Sequence, residues 1–168
     1  MIGGCARATT AAEAKFRIDA PNSQPRCVKV IALDGPSERV AKHLATRQWS
    51  RATFFTASAF TPRDAQKFSM DGWLKDLAGR TKSLVDEIAS ADLVVMIASA
   101  GESAQAAAII GEACGVKHVM TTVLILGSEN TSDEALAKSL AQLRPYAMML
   151  VIATGDDYIE DMLIALRA

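Results

Sequence analysis

The chain has 168 residues, half of them apolar and 22% charged, with a formal net charge of −1. That length fits one domain able to bury roughly two-thirds of the surface its unfolded form exposes, and the apolar share excludes a mostly disordered chain. Lys and Arg are scattered rather than bunched and aromatics reach only 5%, which excludes a basic nucleic-acid face and a base-stacking platform.

The cysteines Cys5, Cys27 and Cys114 are odd in number and lack metal-ligand spacing. Cys27 opens an apolar strand and Cys114 closes a helix, so both read as small buried residues of a reduced, cytoplasmic protein. The opening MIGGCARATTAAEAKFRIDA has no continuous apolar core of the signal-peptide kind, and no segment is long enough to span a bilayer. A soluble protein without membrane association is expected.

Residues 1–24 carry little periodicity and read as a flexible arm, with a short edge strand at Lys15–Ile18; residues 25–168 read as one α/β domain. Arg26–Leu33 is a β-branched apolar run, the mark of a strand buried on both faces. Asp34-Gly35-Pro36-Ser37 follows and feeds a helix carrying Val40, Ala41, Leu44 and Ala45. Ala52–Ala57 is the next strand. Thr61-Pro62-Arg63-Asp64 has the residues of a helix start. The spacing of Trp73, Leu74 and Leu77, then Leu84, Val85 and Ile88, predicts a helical region broken near Asp71-Gly72 and Gly79.

Leu93–Ala98 is a buried strand, Ser99–Ser103 a polar loop, and a helix begins near Ala104. Val119–Leu126 is a fourth strand, followed by a turn at 127–130. Thr131-Ser132-Asp133-Glu134 forms a capping box before a helix that Pro145 stops. Met148–Ala153 is the fifth strand, and Gly155-Asp156-Asp157 leads into the last helix. Strands alternating with helices predict a three-layer Rossmann-like fold with about five parallel strands and right-handed crossovers.

In a doubly wound order of 3-2-1-4-5, the sheet reverses between the first strand and the Leu93 strand, and their loops face each other across one crevice. Each loop feeds a helix amino terminus, where N–H groups and the helix dipole favour an anion. Gly35 and Gly101 permit close approach, and Ser37, Ser99 and Ser103 supply hydroxyls. The ligand-binding candidates are therefore Asp34, Gly35, Ser37, Ser99, Gly101, Glu102 and Ser103. A small phosphate-bearing ligand is the inference, with a nucleotide as the candidate cofactor. Helix capping alone also places Ser and Gly at such turns, and Glu102 would repel a phosphate unless a metal intervened. Neither the G-x-G-x-x-G fingerprint nor the Walker lysine is present. No metal site is expected, because His43 and His118 lack partners at ligand spacing. Asp157, Glu160 and Asp161 read as a capping, solvated face.

VKVIALDG (Val28–Gly35), ADLVVMIASAG (Ala91–Gly101) and LRPYAMMLVIATGDD (Leu143–Asp157) resemble, in order and spacing, the nucleotide-binding domain of the FtsZ/tubulin family. That resemblance implies Gly35, Gly101 and Ser103 on the phosphates and Asp156 near the nucleotide end. The family's G-G-G-T-G-T-G loop is replaced here by A-G-E-S-A-Q-A. The central unit is also similar to phosphosugar isomerase (SIS) domains, whose loop reads S-x-S-G-x-T-x-E; Ala98, Ala100, Gly101, Ser103 and Gln105 stand at those places. Three readings stay open: a nucleotide- or phosphate-binding domain, a non-catalytic interaction domain, and a sugar-phosphate protein with Glu102 as the sole candidate base. The Ala-rich helix Ala104–Ala113 fits either the core or a homodimer interface.

Overall fold

The computed structural model describes residues 24–59, 71–127, 131–153 and 156–168, without the side chains of residues 71–73, 156 and 157. The expected arm, apart from its last residue, lies outside the described residues, as do the helix start at Thr61–Asp64 and residues 128–130 of the turn.

The strands are β1 (Val28–Ala32), β2 (Ala52–Thr56), β3 (Asp71–Asp76), β4 (Thr81–Ser83), β5 (Leu93–Ser99), β6 (Met120–Leu126) and β7 (Met149–Ala153). They form one seven-stranded sheet in the order β4-β3-β2-β1-β5-β6-β7. From β2 through β7 along the sheet, every pairing is parallel. The five expected parallel strands are therefore present, ordered 2-1-3-4-5 among themselves rather than 3-2-1-4-5. The place outside β2 is taken by the β3–β4 hairpin, so β5 adds on the other side of β1. Both orders reverse beside β1, but the observed one sets the Leu93 strand, β5, against β1, where 3-2-1-4-5 would set the fourth of the five.

The helices are α1 (Gly35–Leu44), α2 (Leu84–Ala89), α3 (Ala106–Lys117), α4 (Asp133–Leu143) and α5 (Asp156–Ala165). Alternation along the strands sorts side chains into two cores. Ile31, Val94, Met96 and Val123 meet α2, α3 and α4 on one face. Val28, Val30, Val95 and Ile97 meet α1 and α5 on the other. Burial on both faces is what the continuous apolar runs of β1 and β5 serve, at roughly 1.5–3 kcal/mol per large side chain.

Residues 71–83 depart from the predicted helical region and form an antiparallel hairpin. Leu74 and Leu77 are three apart, a spacing that suits a helix face. In the structure Leu74, on β3, joins the first core, and Leu77, in the turn after β3, packs against the second. The turn between the strands has its own chemistry. Asp76 Oδ1 accepts the N–H groups of Ala78 and Arg80, and Gly79 takes a left-handed φ of 81°. Only Leu84–Ala89 of the predicted stretch is helical among the described residues, capped by Ser83.

Helix α3 packs Ala106, Ala107, Ile110, Ala113 and Cys114 into the first core, so its small residues serve the fold. A Cβ added at Gly111 would lie 2.6 Å from Tyr146 Cβ, whereas Gly115 has open space around it. Gly111→Ala is therefore expected to destabilise by about 1–3 kcal/mol despite its better helix propensity. Gly115→Ala is expected to stabilise by about 0.5–1 kcal/mol. Thermal unfolding of the two variants, side by side, checks the opposite signs; a stabilised Gly111→Ala would contradict the close packing of α3 on Tyr146.

Candidate functional site

The two loops expected to face each other do meet, at the carboxyl ends of β1 and β5. Asp34 caps α1: its Oδ1 accepts the Ser37 N–H at 2.8 Å, and Ser37 Oγ accepts the Asp34 N–H at 3.0 Å. The same carboxylate crosses to the second loop. Its Oδ2 accepts the Ser99 N–H at 2.7 Å and its Oδ1 the Ser99 hydroxyl at 2.8 Å. The anion-attracting groups at the switch point therefore already hold an anion, and it belongs to the protein.

The rest of the second loop is equally engaged. Ala100 N–H donates to the Leu126 carbonyl, Glu102 N–H to the Ser99 carbonyl, and Gly101 N–H to the buried Ser139 hydroxyl at 2.8 Å. Gly101 has φ 86°, and a Cβ there would come 3.2 Å from Ala135 Cβ, so this glycine makes the turn and admits α4. Ser37 is fully buried. Asp156 begins α5, and its side chain lies outside the described residues.

What stays open is a crevice in two arms, one lined by Asp34 and the other by Ser99. The narrow arm, about 170 Å³, is lined by Asp34, Gly35, Ser58, Glu102, Ser103 and Gln105 among others. The wide arm, about 450 Å³, is lined by Arg39, Val40, Ser99, Glu102, Leu126 and Thr131 among others. Exposed Glu102 borders both. Of the candidate residues, Asp34, Gly35, Glu102 and Ser103 meet in the narrow arm, and Gly101 lines neither.

Helix amino termini decide where an anion has room. The caps of α1, α2 and α4 are Asp34, Ser83 and Ser132, each accepting a backbone N–H through its side chain. Helix α3 starts after Gln105 with no side-chain cap bond and no acid in its first turn. Its amino end, with Ser103, Gln105 and Ala106, opens on the narrow arm. Orphan N–H groups at a helix start are satisfied by caps, water or ligand.

Ser58, Gln105 and Arg39 are lining residues that were not picked out from the sequence. Ser58 follows the carboxyl end of a parallel strand, the same positional signal that marks Asp34 and Ser99. Its hydroxyl donates to Glu38, as does that of Thr56 at 2.9 Å, and Lys42 Nζ lies 2.6 Å from the other oxygen. Lys42, then Ser58, holds the Glu38 carboxyl down at about 2. A carboxylate that weakly basic is unsuited to general-base work near neutral pH. Burial pushes the Cys114 thiol up to about 12, so it is no thiolate nucleophile. No group of three or more His, Cys, Asp or Glu residues among those described is placed to hold a metal ion. No described helix is long and apolar enough to cross a membrane.

No family model and no curated protein matches the chain. Among solved structures, it is similar to translation elongation factor SelB from Methanococcus maripaludis in its apo form, at 12% identity and a TM-score of 0.48. The match covers 85% of this chain and 36% of that one. At that identity and score, no residue role passes from one chain to the other. The protein's own geometry shows an α/β fold with a mostly parallel sheet and helices on both faces.

Proposed function

We propose that the protein binds a small phosphate-bearing ligand, with nucleotides as the leading class, and that the anionic group sits at the amino end of α3. One observation carries this reading: of the two helix starts that open on the narrow arm, that of α1 is capped by Asp34 and that of α3 has no side-chain cap. Ser103 adds a hydroxyl there, and Gly35 leaves open space beside it. The Asp34 charge is already answered by three donors from Ser37 and Ser99. Glu102 is the acid that opposes the ligand, so magnesium should strengthen binding.

The FtsZ-like order of segments puts GTP in the ligand panel, and the SIS-like loop adds sugar phosphates. A ligand at a hundred times its dissociation constant stabilises a fold by about 2.7 kcal/mol, a shift of several degrees in a thermal scan. Gln105→Glu sharpens the test, because it places a charge where the phosphate should go. That variant is expected to gain about 0.3–1 kcal/mol without ligand and to lose the ligand-induced shift. No shift with any nucleotide or sugar phosphate, with or without magnesium, would sink the proposal.

A second reading, an interaction domain, is favoured by the opposite end of the sheet. Met120 and Met148 are exposed there and line a cavity of about 530 Å³ between the end of α3 and Tyr146. Exposed apolar side chains around a cavity are what a partner contact uses. A silent ligand panel, together with a molar mass that rises with concentration, would favour this reading with a second copy as the partner.

A further inference from the structure

We infer that the wide arm of the crevice is a binding pocket in its own right, for a small monocarboxylate with an apolar body, anchored by Arg39. Its volume, about 450 Å³, falls within the usual range for small-molecule sites. Pro36, Val40 and Leu126 give it an apolar wall, and Arg39 is the one cation among its described lining residues. Arg39 is exposed, and among the described residues no carboxylate lies within ion-pairing distance of it.

That isolation has a structural cause. Glu38, its chain neighbour, is committed to Lys42, Thr56 and Ser58. Glu102 borders the same arm without pairing to Arg39. A guanidinium offers a rigid planar fork that matches a carboxylate in two parallel bonds. The capping box of Asp34 and Ser37 fixes the start of α1, and with it the place from which Arg39 projects. Glu102 sets the charge limit. The acid repels either anion, but a dianionic phosphate ester doubles that repulsion and brings a second charge for which the described lining has no second cation. Ser103, Gln105 and Ala106, at the amino end of α3, line the narrow arm and not this pocket, so the inference does not depend on the phosphate reading.

The test is an amide NMR titration of the full chain with benzoate, hexanoate, phenyl phosphate and, as a neutral control, benzyl alcohol. Benzoate and hexanoate are expected to perturb the amides of Arg39, Val40, Leu126 and Gly127. Phenyl phosphate is expected to bind this pocket more weakly, and benzyl alcohol weakest of all. Arg39→Gln, an exposed change that leaves the core alone, is expected to weaken benzoate at least about tenfold, the loss of one charge-assisted pair. Arg39→Lys is expected to fall between, since it keeps the charge without the fork. Unchanged benzoate affinity in Arg39→Gln would overturn the inference. So would equal binding of benzyl alcohol, or perturbations confined to Ser103–Ala107.

Discussion

Asp34→Ala is expected to destabilise the ligand-free protein by about 2–4 kcal/mol. Two losses combine. Removing the cap of α1 costs about 1 kcal/mol, since the Ser37 N–H loses its side-chain acceptor. The Ser99 N–H and hydroxyl then lose their acceptor in a part-buried site, at about 1–3 kcal/mol. Ser99→Ala removes only the hydroxyl bond and is expected to cost about 1 kcal/mol. Urea unfolding without any ligand measures both. A near-neutral Asp34→Ala would mean that the carboxylate does not clamp the two loops and is free for other work.

The second large effect lies near the amino end of β1, away from the crevice. Lys29 on β1 is largely buried and reaches Glu87 of α2 at 2.8 Å, with side-chain exposures of 9% and 22%. Its ammonium also lies 5.7 Å from the centre of the Phe55 ring. Breaking such a pair strands a charge in an apolar place, and Glu87→Ala is expected to cost about 3 kcal/mol. Replacing the cation with a side chain of similar length is a different matter. Lys29→Met keeps the packing and leaves Glu87 partly in water, so its cost is expected to stay below about 1 kcal/mol. The double variant should recover most of what Glu87→Ala loses. Additive costs in that cycle would show that the two groups do not interact.

The parallel strands were legible because a strand buried on both faces must be apolar at consecutive positions. VKVIA and LVVMIAS are such runs. The β3–β4 hairpin was not, because Leu74 and Leu77 stand three residues apart, a helix-face spacing, although one lies on β3 and the other in the turn after it. What marks the hairpin is the Asp76–Gly79 turn, a signal the apolar pattern outweighed.

In the crevice, the meeting of the Asp34 and Ser99 loops followed from the switch-point rule. The partners inside it did not. Ser99 finds Asp34 across 65 residues, and Gly101 finds Ser139 across 38, contacts that no local pattern encodes. Those bonds take up the N–H groups that make a Gly- and Ser-containing loop look like a phosphate cradle. The start of α3 stands apart, because no side chain caps it, although the Ala104 carbonyl accepts the Ala107 N–H. A missing cap is a weaker sequence signal than a present one, and Gln105 carries it silently.

The most direct test of the proposed site is an amide NMR titration of the full chain with GTP and magnesium, read residue by residue. Shifts centred on Ser103, Gln105, Ala106 and Ala107, absent in Gln105→Glu, are the expected result. Shifts centred instead on Met120, Met148 and the carboxyl end of α3, or none at all, would contradict a phosphate site at the start of that helix.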